Sequence, residues 1–122
     1  MARWLTLVLI SVAFNAYADA RDAVATQEIN YLISQVESTQ GVTFVRNGVS
    51  YDAKKAASHL RRKLKYAGSH VKTAEDFVRL CASKSSVSGK PYEVKFDDGR
   101  VMTSENYLMG LLTEYRKSHH AS

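Results

Sequence analysis

The stretch Thr73–Phe96, with the sequence TAEDFVRLCASKSSVSGKPYEVKF, contains in order the features of a capped helix, a serine-rich loop and a strand. Thr73 and Asp76 fit a common helix start, in which a threonine and an acidic residue three positions later bond the free backbone amides. One apolar face follows at helical spacing, formed by Ala74, Phe77, Val78 and Cys81. The loop Ser83–Pro91 is the most polar interior segment, and we predict one edge of any binding site there.

Two hairpins are predicted on either side of this helix. In the segment Val42–Tyr51, the dipeptide Asn47-Gly48 is typical of a tight turn because both residues tolerate positive φ. Apolar and polar residues alternate along the strand that ends at Phe96, and Asp98-Gly99 indicates a second tight turn. A two-residue turn at that dipeptide would place Phe96 opposite Val101.

Apolar residues at helical spacing predict three further helices, over Ala25–Val36, Ala53–Ala67 and Glu105–Lys117. Asp52 and Ser104 stand where the N-caps of the last two are expected. The chain has no internal repeat and no linker. It is therefore predicted to be an α+β protein, with about four helices packed against a small antiparallel sheet of two short hairpins.

The first eighteen residues have the pattern of a secretory signal peptide. Arg3 precedes an eleven-residue apolar run, Trp4–Phe14, and Ala16-Tyr17-Ala18 satisfies the small-x-small rule for cleavage after Ala18. An uncleaved anchor is the alternative, but a spanning helix needs about 20 apolar residues. We expect residues 19–122 to form one periplasmic domain with no integral membrane segment after cleavage.

Charge and cysteine content limit the partners and the covalent chemistry. Without Arg3 the mature chain has a net charge of +4, which favours an anionic small molecule, an acidic glycan or an envelope protein as partner. Export makes nucleic acid an unexpected partner, and the sequence does not define an oligomeric state.

Cys81 is the single cysteine, so no intramolecular disulfide can form, and its place on an apolar helix face predicts a buried thiol.

The candidate binding residues are basic and polar. They are Arg46, His59, Lys63, Ser83, Ser85, Ser86, Ser88, Gly89 and Lys90. An arginine fork matches a carboxylate or phosphate, and serine hydroxyls with the backbone amides around Gly89 can complete an anion pocket. The alternative is structural: Arg46 braces the turn, His59 bonds a backbone carbonyl, and the serines cap a helix and shape the loop.

Motifs for catalysis and cofactors are absent from the sequence. It contains no G-x-S-x-G, no H-E-x-x-H and no glycine-rich phosphate loop, so we predict no catalytic residues and no cofactor. No metal site is predicted either, because His119-His120 lacks further ligands nearby. A thiol hydrolase using Cys81, His59 and Asn47 is an alternative, although thiols on apolar faces are usually inert.

Four segments resemble the YfeK-like family of small exported bacterial proteins, which is a domain of unknown function. They are Phe44–Gly48, Ala57–Arg61 with Lys63-Leu64, Thr73–Glu75 and Ser83–Tyr92. The similarity keeps their order and spacing and covers nearly all of the mature chain. The resemblance implies a periplasmic location and no established activity, and it supplies no catalytic residues.

The expected function is therefore a non-catalytic binding module that uses its serine-loop side. The alternative is a cell-wall hydrolase or a hydrolase inhibitor. Ser88–Tyr92 fits an S-G-x-x-Y pattern similar to a loop motif of periplasmic lysozyme inhibitors, although those proteins are rich in β-structure.

Overall fold

The computed structural model describes residues 21–120, and the predicted signal peptide and its cleavage site lie outside this range. The elements are α1 (Ala23–Ser38), β1 (Val42–Arg46), β2 (Val49–Tyr51), α2 (Ala53–Ala67), a 3-10 turn (Gly68–His70), α3 (Ala74–Cys81), β3 (Glu93–Phe96), β4 (Val101–Thr103) and α4 (Ser104–His120). The predicted α+β fold, with four helices and a small antiparallel sheet, is confirmed.

Side-chain caps define where the first three helices begin. The Asp22 carboxylate accepts from the amide of Ala25 at 2.7 Å, and Asp52 starts α2 in the same way. Thr73 and Asp76 form the predicted capping box, in which each side chain accepts from the other's backbone amide. Each cap satisfies amides that have no partner within the helix, which is why helix starts are readable from sequence.

The start of α4 differs from the prediction. Thr103, not Ser104, caps the helix, because its Oγ1 accepts from the Asn106 amide at 3.1 Å. Ser104 is already the first helical residue and is buried. Its amide donates to the Tyr92 carbonyl at 2.8 Å, so the start of α4 is fixed to the segment that leads into β3. The helix also continues to His120 instead of ending at Lys117.

The two hairpins join into one antiparallel sheet with strand order β2-β1-β3-β4. Phe44 of β1 lies opposite Val94 of β3, and this central pairing brings the hairpins together. The first turn forms as predicted, with φ of 53° at Asn47 and 77° at Gly48. The backbone requires positive φ at both positions, which asparagine and glycine adopt most readily.

The second hairpin is shifted by one residue from the predicted register. Phe96 donates its amide to the Arg100 carbonyl at 2.8 Å, whereas Val101 pairs with Lys95. The turn has three residues, with Gly99 at φ +95° and its amide bonded to the Phe96 carbonyl. A tight turn followed by a left-handed glycine is the common three-residue loop, and it adds the residue that the two-residue turn lacks.

The core lies between the helices and one face of the sheet. Its largest fully buried side chains include Ile29, Leu32, Phe77, Val94, Leu108 and Leu112. Ala57 is also fully buried, and its small side chain allows α2 to pack closely on its neighbours. Within residues 21–120, no helix is long and apolar enough to cross a membrane.

Candidate functional site

A groove of about 530 Å³ lies between α2 and the loop that follows α3. Its polar lining includes Arg46, His59, Arg62, Lys63, Ser85 and Ser86, and we call it the basic groove. Five of these six residues were predicted from the sequence, and three separate parts of the chain supply them. The hairpin turn places Arg46, α2 carries the next three on one side, and the loop brings the two serines.

Arg46 and His59 form the inner end of the basic groove. The Arg46 Nη1 atom lies 3.1 Å from His59 Nε2 and 3.4 Å from His59 Nδ1. Its Nη2 atom donates to the Tyr51 hydroxyl at 2.8 Å, and the guanidinium lies 5.2 Å from the centre of the Tyr51 ring. Because arginine can only donate, His59 has to accept in this contact and is therefore the neutral imidazole.

Lys63 and Tyr92 form the next part of the network. Lys63 Nζ donates to the Tyr92 hydroxyl at 3.1 Å and to the Lys84 carbonyl at 3.4 Å. The same hydroxyl lies 3.4 Å from His59 Nε2, so it links the lysine to the histidine. Tyr92 directly precedes β3 and is buried, and the alternation of apolar and polar residues up to Phe96 agrees with that burial. The alternation gave no indication of where the Tyr92 hydroxyl would reach.

The electrostatics of the groove act directly on His59. Burial, together with the nearby positive charges of Arg46, Lys63 and Arg62, lowers the pKa of His59 from 6.5 to about 4. A partly buried charge beside three others is costly, so the imidazole gives up its proton. At neutral pH His59 is thus an uncharged acceptor among three permanent cations.

These cations have no counter-ion of their own within the described chain. Across residues 21–120, no carboxylate oxygen lies within 4.0 Å of a side-chain nitrogen of Arg46, Arg62 or Lys63. Arg61, by contrast, lies on the same helix and pairs with Glu37 at 2.7 Å. The basic groove therefore concentrates positive charge that the fold does not neutralise.

The serine loop is fastened to the first hairpin turn through Asn47. Asn47 Nδ2 donates to Ser85 Oγ at 3.3 Å, and Ser88 Oγ donates to Asn47 Oδ1. Ser85 Oγ also accepts from the amides of Val87 and Ser88, at 3.2 Å and 3.3 Å. These bonds hold the loop against the end of β1, so that Ser85 and Ser86 lie beside Arg46.

Four predicted residues do not line the basic groove. Ser83 is buried and donates to the Val78 carbonyl at 2.7 Å, which satisfies the end of α3. Ser88 and Lys90 belong to the outer part of the loop, where the Lys90 amide donates to Ser88 Oγ at 3.2 Å. Gly89 has φ of +73° and closes this turn. Their contacts are the structural ones that the sequence left as the alternative.

Seven other residues line the groove without having been predicted as site residues, among them Arg62, Tyr66 and Tyr92. Arg62 follows from helical spacing, because it stands three residues after His59 and so shares its side of α2. Tyr66 stands seven residues after His59 and is 87% exposed at the outer end of the groove. Tyr92 lacked any such signal, because its position depends on the pairing of β3 with β1.

The described chain offers little for catalysis through a thiol or a metal. Cys81 is fully buried in the core, and burial raises the pKa of its thiol, which disfavours the reactive thiolate. Its predicted burial is confirmed. Among residues 21–120, no group of three or more histidine, cysteine or acidic side chains is placed to hold a metal ion.

Comparison with known proteins identifies the family but no activity. The model of a family of unknown function, DUF5329, matches residues 23–116. The chain is also 40% identical over 78 residues to the uncharacterized protein YfeK of Salmonella typhimurium, a match that covers 64% of this chain and 59% of the relative. The matched part thus spans less than two thirds of that relative, and no solved structure matches the chain significantly. The chain belongs to the YfeK-like family of unknown function, DUF5329.

Proposed function

We propose that the protein is a small, exported, non-catalytic binding module that holds an anionic ligand in the basic groove. The observation that carries this proposal is the grouping of Arg46, Arg62 and Lys63 without a carboxylate partner in the described chain. Like charges held together repel one another, and an anion relieves that repulsion when it binds. The apolar run and cleavage pattern of residues 1–18 support a periplasmic location.

The geometry suits a carboxylate, a phosphate or a sulfate. Arg46 offers a planar fork that can bond two oxygens of one anion, and Lys63 supplies a compact charge nearby. Arg46 at present donates to two neutral groups, His59 and the Tyr51 hydroxyl, so an anion would form the stronger hydrogen bonds with it. Such an anion belongs to a small molecule, an acidic glycan or an acidic envelope protein.

No specific observation favours the hydrolase alternative. Glycoside hydrolysis usually needs two carboxyl groups beside the substrate, and the lining of the basic groove contains neither aspartate nor glutamate. For the inhibitor alternative, Ser88 and the Lys90 amide of the S-G-x-x-Y segment bond within the loop and to Asn47. We therefore assign no catalytic residue and no inhibitory contact.

Anion titration tests the proposal. Phosphate, sulfate and acetate are titrated into the protein at pH 7 and constant ionic strength, with calorimetry for affinity and thermal unfolding for stability. We expect saturable binding that raises the midpoint of unfolding. In Arg46→Gln and Lys63→Gln, affinity should fall by about tenfold or more, which corresponds to the loss of one charge-assisted hydrogen bond.

The matched control is Lys55→Gln, which removes an exposed positive charge from the same helix outside the groove. This variant should bind anions within about twofold of wild type, because an exposed charge at a distance is largely screened. The proposal fails if none of the three anions binds saturably, or if Lys55→Gln weakens binding as much as Lys63→Gln does.

Export has its own test. The mature protein recovered from a periplasmic extract should have the mass of a chain that starts at Asp19. An intact Met1, or retention in the membrane after an alkaline wash, would contradict the proposed location.

A further inference from the structure

A small apolar cavity of about 50 Å³ adjoins the basic groove on its inner side. Val36, Phe44, Ala56 and Leu60 form its apolar walls, and we call it the apolar cavity; its lining also includes Tyr51, Glu93 and Ser104. Three residues, Arg46, His59 and Tyr92, line both the apolar cavity and the basic groove. The two spaces therefore share one wall, and that wall carries Arg46, one of the three cations of the proposed anion site.

The size and lining of the apolar cavity favour an alkyl group as its occupant. Protein interiors are packed closely, and a void lined by apolar groups reduces stability in proportion to its volume. A water molecule fits such a volume but needs two to four polar partners, and Val36, Phe44, Ala56 and Leu60 supply none on their side of the cavity. A methyl, ethyl or propyl group needs no hydrogen-bond partner in the cavity, and it would gain contacts with Phe44 and Leu60.

Arg46 is the charged residue of the shared wall. Arg46 is only partly buried and is held by two contacts with neutral groups, His59 Nε2 at 3.1 Å and the Tyr51 hydroxyl at 2.8 Å. Because Arg46 lines both spaces, an anion bound by Arg46 could extend its carbon chain toward the apolar cavity. The geometry thus connects an anionic headgroup and a short alkyl group in a single ligand.

The lining of the basic groove also includes exposed apolar residues. Tyr66, Leu80 and Val87 all line it, and they are 87%, 40% and 95% exposed. Exposed apolar residues are ordinary when scattered, but these three lie around one charged groove. They provide contact surface for the part of a ligand that extends beyond its headgroup.

We infer that the ligand of the basic groove is an amphiphilic anion, a carboxylate or phosphate ester whose short unbranched alkyl group enters the apolar cavity. This inference rests on the proposed function, since it specifies the class of anion that the groove binds. The positive charge of the basic groove favours an anionic headgroup, and the small volume of the apolar cavity limits the length of the alkyl group.

A series of linear carboxylates tests this inference: acetate, propionate, butyrate, pentanoate and hexanoate, at pH 7 and constant ionic strength. Each methylene that enters the cavity should strengthen binding by about fourfold, as expected for its removal from water. The gain should stop after two or three carbons, because the cavity holds no more. The uncharged 1-butanol serves as the control for the headgroup and should bind far more weakly than butyrate.

Filling the cavity locates the alkyl group. Ala56→Leu occupies the space from the helix side, and Ala56→Val is the milder variant if leucine impairs folding. The readout is the ratio of butyrate to acetate affinity within each variant, which cancels any change that affects both ligands. We expect this ratio to fall from about sixteenfold toward one. Ala23→Leu, at an exposed position outside both spaces, should keep the wild-type ratio.

The outcomes separate this inference from the function on which it rests. If acetate and phosphate bind but affinity does not rise from acetate to butyrate, the anion site stands and the amphiphilic ligand is wrong. If the rise persists unchanged in both Ala56 variants, the alkyl group lies elsewhere and the cavity assignment is wrong. If no anion binds at all, both the proposed function and this inference fail.

Discussion

The charge of His59 makes the basic groove sensitive to pH. Burial and three neighbouring cations lower its pKa to about 4, whereas in the unfolded chain it returns to about 6.5. Between these values the unfolded chain binds the additional proton, so stability falls as pH falls through this window. His59 thus contributes its full stabilising effect only above about pH 6.5, where both states are neutral.

Replacement of His59 by glutamine removes this pH dependence. Wild type should lose about 1–2 kcal/mol more than His59→Gln between pH 7 and pH 4, a value reduced to allow for partial exposure of the imidazole. Urea unfolding of both proteins at pH 7, 5.5 and 4 measures the difference. Carboxylates titrate in the same range, but they are common to both proteins. Parallel stability curves would show that the pKa of His59 is not lowered.

Cys81 behaves as a small apolar residue of the core. Its side chain is fully buried, and burial raises the pKa of the thiol. We expect slow reaction with a thiol reagent in the native protein and rapid reaction after unfolding, because labelling then requires an opening of the structure. Mass spectrometry over time measures both rates. Fast labelling of native protein would place the thiol at the surface.

The substitution Cys81→Ser tests the same environment by free energy. A hydroxyl buried at this position should lower the free energy of unfolding by about 1–3 kcal/mol. Cys81→Ala is the matched comparison, because it also loses the sulfur but adds no polar group. Serine should therefore be the more destabilising of the two, as measured by urea unfolding. Equal costs would mean that the hydroxyl finds a partner or water.

At the scale of elements, Asn47 both shapes the first hairpin turn and fastens the serine loop to it. Asn47 adopts φ of 53°, which the turn requires, and its side chain bonds Ser85 and Ser88 of the loop. The dipeptide Asn47-Gly48 predicted the turn, because positive φ is a local property. It did not predict the bond to a loop nearly forty residues later, since that contact depends on the pairing of β1 with β3.

Asn47→Gly separates these two roles. Glycine keeps the positive φ but removes the amide that fastens the loop, so the loop should open more often while the sheet stays intact. Hydrogen exchange at the Val87 and Ser88 amides should accelerate by about five- to thirtyfold, and amides of β1 should be unaffected. Gly48→Ala is the complementary control, because it changes the turn and keeps the Asn47 side chain. It strains the turn at φ +77°, so it should lower global stability by about 1 kcal/mol or more.

At the scale of the molecule, the sequence predicted what depends on local periodicity and caps. The bounds Ala53–Ala67 of α2 and the capping box at Thr73 are confirmed, because each is determined by residues within one or two turns. The register error at Phe96 came from a glycine that extends the turn by one residue, and both loop lengths use similar residues. The site residues on one side of α2 can be predicted together from helical spacing. The place of Tyr92 in the site cannot, because it depends on how the strands pair.

One cluster, not apparent from the sequence, ties three helices together. Arg116 of α4 bonds Glu28 of α1 through two nitrogens, at 2.8 Å and 2.9 Å. The same guanidinium bonds Glu75 of α3 at 2.6 Å and 3.0 Å. The Glu28 side chain is only 4% exposed, whereas that of Glu75 is 48% exposed. One arginine therefore makes the same kind of contact in two different environments.

These two carboxylates allow a controlled measurement of what burial adds to an ion pair. Glu28→Gln should lower the free energy of unfolding by about 2–3 kcal/mol, because a buried charge-assisted bond is replaced by a weaker one. Glu75→Gln should cost less than about 1 kcal/mol, since water and salt already weaken the exposed pair. Urea unfolding in 0.1 M and 1 M salt should show that only the second cost shrinks with salt. Equal costs, or a larger one at Glu75, would mean that Arg116 holds the helices together from the surface.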